Sequence, residues 1–263
     1  MSTPAEIKAC CAASYGQDAV ALLLGESYHP GGLSLTRTLA ERLRLRSGDR
    51  VLDVAAGPGA TARLLAVDYD VTVDGIDLGE STVERARGAV ADAGLAAKVS
   101  FHIGDAERIP LPDGVFDAAV CECALCTFPD KACAAAEFAR VLKPGGRVGI
   151  TDVTVARGAL PPELTTLAAW VACIADARPL TEYTATLERA GLRTVHTELH
   201  DDAIARMIDE IEARLRLLRM TAPERLTEAG VDVDAVLRYI TVAKNAVASG
   251  ILGYALLVAE KPV

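Results

Sequence analysis

The chain has 263 residues and a formal net charge of −9, and it is 51% hydrophobic but only 4% aromatic. That supply suits one sizeable α/β domain with a core of Ala, Val, Leu and Ile, and it excludes a long disordered chain. A net negative surface repels phosphate backbones and anionic lipid, so neither nucleic acid nor membrane is an expected partner.

No apolar run reaches spanning length, and Met1 to Lys8 lack the charged-then-apolar order of a signal peptide, so a cytoplasmic location is expected. Residues 1–45 read as a helical lid: Ala19–Leu24 and Leu33–Leu43 are interrupted by His29-Pro30-Gly31-Gly32, where His29 is expected as a turn residue. Strands and helices then alternate. Strands are expected at Arg50–Ala55, Val71–Ile76, Val99–Ile103, Phe116–Cys121 and Arg147–Asp152, with helices at Ala60–Ala66, Ser81–Ala93 and Lys131–Val141. That alternation predicts a doubly wound α/β fold, a mostly parallel sheet joined by right-handed crossovers. Helical patterns follow at Pro161–Ile174 and Leu180–Ala190, then a strand near Thr194–Glu198. Asp201–Met220 and Val233–Ala248 read as a two-helix cap inserted before the last strand, Ile251–Ala259. Residues 1–263 read as a single domain, with the core at 46–200, the cap at 201–250 and the last strand in 251–263.

A cofactor site is written at the strand ends. Asp53 closes the first strand, and Gly57 and Gly59 let a ligand lie against bare backbone in the turn that follows. Asp77, 24 positions beyond Asp53, ends the second strand where a carboxylate accepts ribose hydroxyls. Gly104-Asp105 ends the third, where a carboxylate accepts from an adenine amino group. Gly57, Gly59 and Ala62 also satisfy a relaxed dinucleotide pattern, but Asp53 is poor company for a pyrophosphate and suits the cationic amino group of a methionyl moiety. The plainer alternative is that Asp53 and Asp77 only cap the helices that follow them.

The words VLDVAAGPG, VDGIDL, GDAERIPLPDGVFDAAV and RVLKPGGRVGITD resemble those of class I S-adenosylmethionine-dependent methyltransferases across residues 45–200, and the resemblance takes in the last strand. It implies a seven-stranded Rossmann-like sheet with an antiparallel last strand and S-adenosylmethionine at the carboxyl ends of the strands. The implied contact set is Tyr15, Asp53, Ala55, Gly57, Gly59, Asp77, Leu78, Asp105, Ala106 and Cys121, with Ala55 standing at the family's first glycine.

The seven cysteines read as thiols, and none has the paired spacing of a structural zinc site. Cys133 reads as buried packing, but Cys121, Cys123 and Cys126 crowd the end of the fourth strand, where ligands of such sheets bind. Thiolates prefer soft ions, and three of them can hold a trivalent pnictogen whose exposed lone pair accepts a methyl with no proton to remove. The segment also resembles the arsenite methyltransferases. That resemblance implies Cys123, ahead of Pro129-Asp130-Lys131, and Cys173 as arsenic ligands, while Gln17 stands where a further cysteine is expected. Cys10 and Cys11 are the candidates for that missing thiolate, and Cys126 is a further expected substrate contact. The function expected is methylation of a metalloid substrate, with a thiol reductant as partner and methylated arsenicals, antimony, selenium or a thiol as related acceptors. The alternatives are a quinone or natural-product carbon- or oxygen-methyltransferase and a thiol-rich metalloid binder without turnover.

Overall fold

The strands Arg50–Val54 (β1), Thr72–Asp77 (β2), Val99–Ile103 (β3), Phe116–Glu122 (β4) and Leu142–Val155 (β5) pair in parallel. Arg193–Leu199 (β6) and Leu252–Glu260 (β7) complete a seven-stranded sheet in the order β3-β2-β1-β4-β5-β7-β6, with β7 antiparallel to both neighbours. The expected doubly wound fold is therefore the observed one. The computed structural model describes residues 3–15, 18–25, 27–156, 160–165 and 173–263.

The strands carry apolar residues on both faces because helices cover both. One face packs Val51, Val73, Ala118 and Val120 against helices Gly32–Leu43 (α3), Ala60–Asp68 (α4) and Glu80–Asp92 (α5). The other packs Leu52, Val54, Ala119 and Ile150 against Lys131–Val141 (α6) and Leu180–Arg189 (α7). The preceding helices Pro4–Tyr15 (α1) and Asp18–Leu24 (α2) come over the carboxyl edge of the sheet, where Lys8, Cys11 and Tyr15 of α1 face Asp53, Asp77 and Asp105 across one cleft.

Between β6 and β7 the chain inserts Asp201–Thr221 (α8), Pro223–Glu228 (α9) and Val233–Ala248 (α10). The expectation was two helices; Pro223, at the first position of α9, starts a short third one where its missing N–H costs nothing. The helix expected over Pro161–Ile174 is described only at its ends. Pro162–Thr165 is a 3-10 turn, 166–172 lie outside the described residues, and Cys173 is in a turn with left-handed backbone, φ 60°. Gln17 likewise lies outside the described residues. Among the described residues no helix is long and apolar enough to cross a membrane.

One aromatic ring holds the ligand-facing turn to the sheet. Phe101 of β3 lies over Gly75 of β2, where an added Cβ would stand 2.3 Å from the ring, and against Gly59, where it would stand 2.5 Å away. Gly75→Ala is expected to cost about 1–3 kcal/mol in urea unfolding, the scale of overpacking a closed core. Wild-type stability in that variant would show the contact to be loose.

Candidate active site

In a parallel sheet every strand ends on the same edge, so β1, β2, β3 and β4 deliver Asp53, Asp77, Asp105 and Cys123 to one cleft. The turn after β1 is built on left-handed backbone at Ala55 (φ 56°), Gly57 (φ 54°) and Gly59 (φ 78°). Ala55 takes a conformation that favours glycine, so its methyl group carries some strain, of order 1 kcal/mol. A Cβ on Gly57 would meet nothing closer than Tyr28 at 3.8 Å, so this glycine presents bare backbone to the cleft. Gly59 does not line the cleft; it is the N-cap of α4, pressed on Phe101.

Asp77 ties two turns together. Its carboxylate accepts from Gly57 N at 3.0 Å and Gly79 N at 2.9 Å, and burial raises its pKa against those amides. Asp105 accepts from Glu107 N at 2.9 Å and from Lys8 Nζ at 2.7 Å, which reaches down from α1. Leu78 and Ala106 complete that end of the cleft.

Asp53 sits at the centre. Asp53 is not the N-cap of α4, which is Gly59, although the nearby Ala62 amide lowers its pKa. Its Oδ2 is buried and has no hydrogen-bond partner. Burial, then the charges of Glu122 and Asp77, push this carboxyl well above the usual carboxylate range. A buried oxygen with no donor beside a second acid is a site waiting for a cation, and it fits the ammonium group of S-adenosylmethionine. Glu122, not among the expected contacts, also lines the cleft, as does His29, for which a lid residue touching substrate was the alternative to a turn residue. His29 is a turn residue as expected, but its ring is buried with Nε2 3.5 Å from Glu122 Oε2.

The cysteines divide. Cys173 Sγ lies 3.0 Å from the Tyr15 hydroxyl and, as a thiol, donates to Cys123 O at 3.1 Å. As a thiolate it accepts from Tyr15 and from the thiols of Cys123 and Cys126, and those donors hold it well below the usual thiol range. Cys123 is pushed up in turn by its bond to Cys173, and Cys126 by burial. Burial and the Cys173 charge push Asp152, which accepts from Cys126 N at 3.0 Å, up to about 7. Cys11 lines the cleft from α1 and is pushed up to about 12 by burial and then by Cys173. Cys123 also lines it, on left-handed backbone with φ 53°. Cys126 and Cys173 are buried behind it.

Other cysteine expectations fail. Cys121 points to the opposite face and is buried among Val54 and Ile150, because alternation along β4 sends Val120 and Glu122 one way and Cys121 the other. Cys10 does not line the cleft, and Cys133 is exposed on α6 with its thiol 3.2 Å from Asp130. Among the described residues no three His, Cys, Asp or Glu side chains are arranged to hold a metal ion.

Residues 52–150 match the family described as a methyltransferase domain. The chain is 31% identical over 265 aligned residues to 27-O-demethylrifamycin SV methyltransferase of Amycolatopsis mediterranei, covering 94% of this chain and 96% of that one. The chain belongs to the S-adenosylmethionine-dependent methyltransferases. To methyltransferase GfsG of Streptomyces halstedii this methyltransferase is 37% identical over 164 residues, 61% of this chain and 59% of the relative. Phosphoethanolamine N-methyltransferase 2 of Haemonchus contortus, solved with S-adenosyl-L-methionine, has the same fold at TM-score 0.80 and 20% identity, over 99% of this chain and 58% of that one.

Asp77→Ala is expected to weaken S-adenosylhomocysteine binding by about 1–3 kcal/mol in titration calorimetry, the scale of hydrogen bonds to a charged acceptor. Asp53 supplies a second expectation. A raised carboxyl must ionise to meet an ammonium, so binding releases a proton and affinity rises with pH until Asp53 is ionised in the free protein. Calorimetry in two buffers of different ionisation heat measures that proton, and Asp53→Asn removes it. An acid raised in the folded state loses stability as pH climbs above its unfolded value, so Asp53→Asn also raises the melting temperature of the free protein at neutral pH.

Proposed function

We propose that this methyltransferase acts on a soft, thiol-held acceptor: trivalent arsenic, as arsenite or methylarsenite, on Cys123, Cys126 and Cys173, with Cys11 of α1 as the nearest further thiol. The observation that carries this reading is the approach of Cys173, from a separate segment, to Cys123 at the cleft, with both residues on left-handed backbone. Burial preference accounts for a buried cysteine, but it gives no reason to hold one at positive φ.

S-adenosylmethionine supplies an electrophilic methyl group on a sulfonium centre. Asp77 would accept the ribose hydroxyls, Asp105 the adenine amino group, and Asp53 the methionyl ammonium. The backbone of the 55–57 turn and Tyr15 of α1, which line the same cleft, would hold the methionyl chain. Each soft sulfur that binds arsenite would replace one hydroxide, which leaves as water with the thiol proton, and the arsenic lone pair then needs no general base. Residues 1–45 act as a lid and residues 201–250 as a cap that together exclude water. Methyl transfer onto the lone pair would take arsenic from trivalent to pentavalent, so its return to the trivalent state calls for a thiol reductant, and the free thiols for a reducing compartment such as the cytoplasm.

A second reading, transfer to a hydroxyl of a natural product or a quinol, is favoured by His29 against Glu122 on the cleft wall. A buried imidazole–carboxylate pair is the base that a hydroxyl acceptor requires, and the rifamycin relative is named for such a transfer.

The test is labelled S-adenosylmethionine with arsenite, methylarsenite, selenite and a set of quinols. Cys123→Ser and Cys173→Ser are each expected to bring arsenite methylation to background while S-adenosylhomocysteine binding stays within about twofold, because sulfur becomes a hard donor of the same shape. Exposed Cys133→Ser should match wild type. Full arsenite turnover by both cysteine variants, with quinol transfer lost in His29→Gln, would put the hydroxyl acceptor first.

A further inference from the structure

The cleft holds more buried negative charge than the strand-end motifs account for. Glu122 closes β4 with its side chain 4% exposed. Val120 is registered against Asp53, so alternation puts Glu122 on the same face, one step further toward the carboxyl edge. Its carboxylate is aimed by hydroxyls from two helices. Thr61, in the first turn of α4, donates to Oε2 at 2.6 Å, and Thr36 of α3 donates at 3.1 Å. His29 approaches from the lid side at 3.5 Å.

Those contacts leave acceptor capacity on Glu122, since a carboxylate offers about four lone-pair sites. Beside it, Oδ2 of Asp53 has none of its capacity used. Two buried carboxylates in one another's field are costly without a cation between them. Among the described residues that line the cleft, the one lysine, Lys8, is committed to Asp105 and Glu107 at the far end. His29 stands against Glu122, and Asp53 Oδ2 is still left without a donor, which a ligand cation would supply.

We propose that Glu122 is a cofactor-binding residue that shares the α-ammonium of S-adenosylmethionine with Asp53, and that Thr36, Thr61 and His29 are positioning residues for it. An ammonium has three N–H donors, which one unpaired Asp53 oxygen cannot satisfy alone. This seat rests on the cofactor and not on the acceptor, so it stands whether the methyl goes to arsenic or to oxygen.

Two ligands separate the ammonium from the rest of the cofactor. S-adenosylhomocysteine carries the amino acid, and 5′-methylthioadenosine has the nucleoside and thioether without it. Glu122→Gln keeps shape and hydrogen-bonding oxygen but removes the charge. By calorimetry at neutral pH, its Kd for S-adenosylhomocysteine should rise about tenfold or more, equal to ~1.4 kcal/mol. Its Kd for 5′-methylthioadenosine should stay within about twofold, because that ligand carries no cation to lose. A purely structural Glu122 would move both ligands together, and that result overturns the proposal; so does an unchanged Kd for S-adenosylhomocysteine. Should the glutamine variant fail to fold, Thr61→Val and Glu122→Asp carry the same comparison. Each should weaken S-adenosylhomocysteine binding alone, and equal loss for both ligands, or none for either, again overturns it.

Discussion

The site is organised around a carboxylate that the protein itself leaves unneutralised. Asp53 is buried at the end of the first strand with one oxygen unpaired and Glu122 beside it. Folding alone would remove such a group, since an amide of the same shape would be cheaper to bury. The parallel sheet makes its retention possible. Strands that run the same way bring their ends to a common edge, and the helix that follows each end gives the acid a neighbour's amide or hydroxyl. Ala62 and Thr61, both from the start of α4, serve Asp53 and Glu122 in this way. The cation that would complete the group belongs to the cofactor, so stability and binding draw on the same residue with opposite signs.

Much of this was legible in the sequence, for a physical reason. Strand ends in a doubly wound sheet are marked by turn glycines, and an acid standing immediately beside such a turn has to face the cleft. Asp53, Asp77 and Asp105 all stand there, and all three line it. The parallel sheet followed from the alternation of short apolar runs with helical periods, and its seven strands with a reversed last one from the family resemblance.

What was not legible depended on faces and on distant contacts. Glu122 reads in sequence as an acid between two cysteines; only the side of the sheet that α3 and α4 cover decides that it faces Asp53 while Cys121 turns into the opposite core. His29 was readable as a turn residue, because Pro30 and Gly31 follow it, but nothing local says where its ring lies. Cys133 was expected inside on the general habit of cysteine, yet it falls on the solvent side of α6 beside Asp130. Cys173 was found by resemblance, and periodicity gave no sign of its left-handed turn conformation.

The left-handed backbone at Cys123 and Cys173 bears on how this gene would drift. Each position taxes the fold by about 1 kcal/mol for carrying a Cβ, a strain that glycine would relieve outright and asparagine in part. In a population screened only for folded, abundant protein, both thiols would therefore be eroded toward glycine or asparagine. The pair would persist only in lineages where the sulfur itself is under selection.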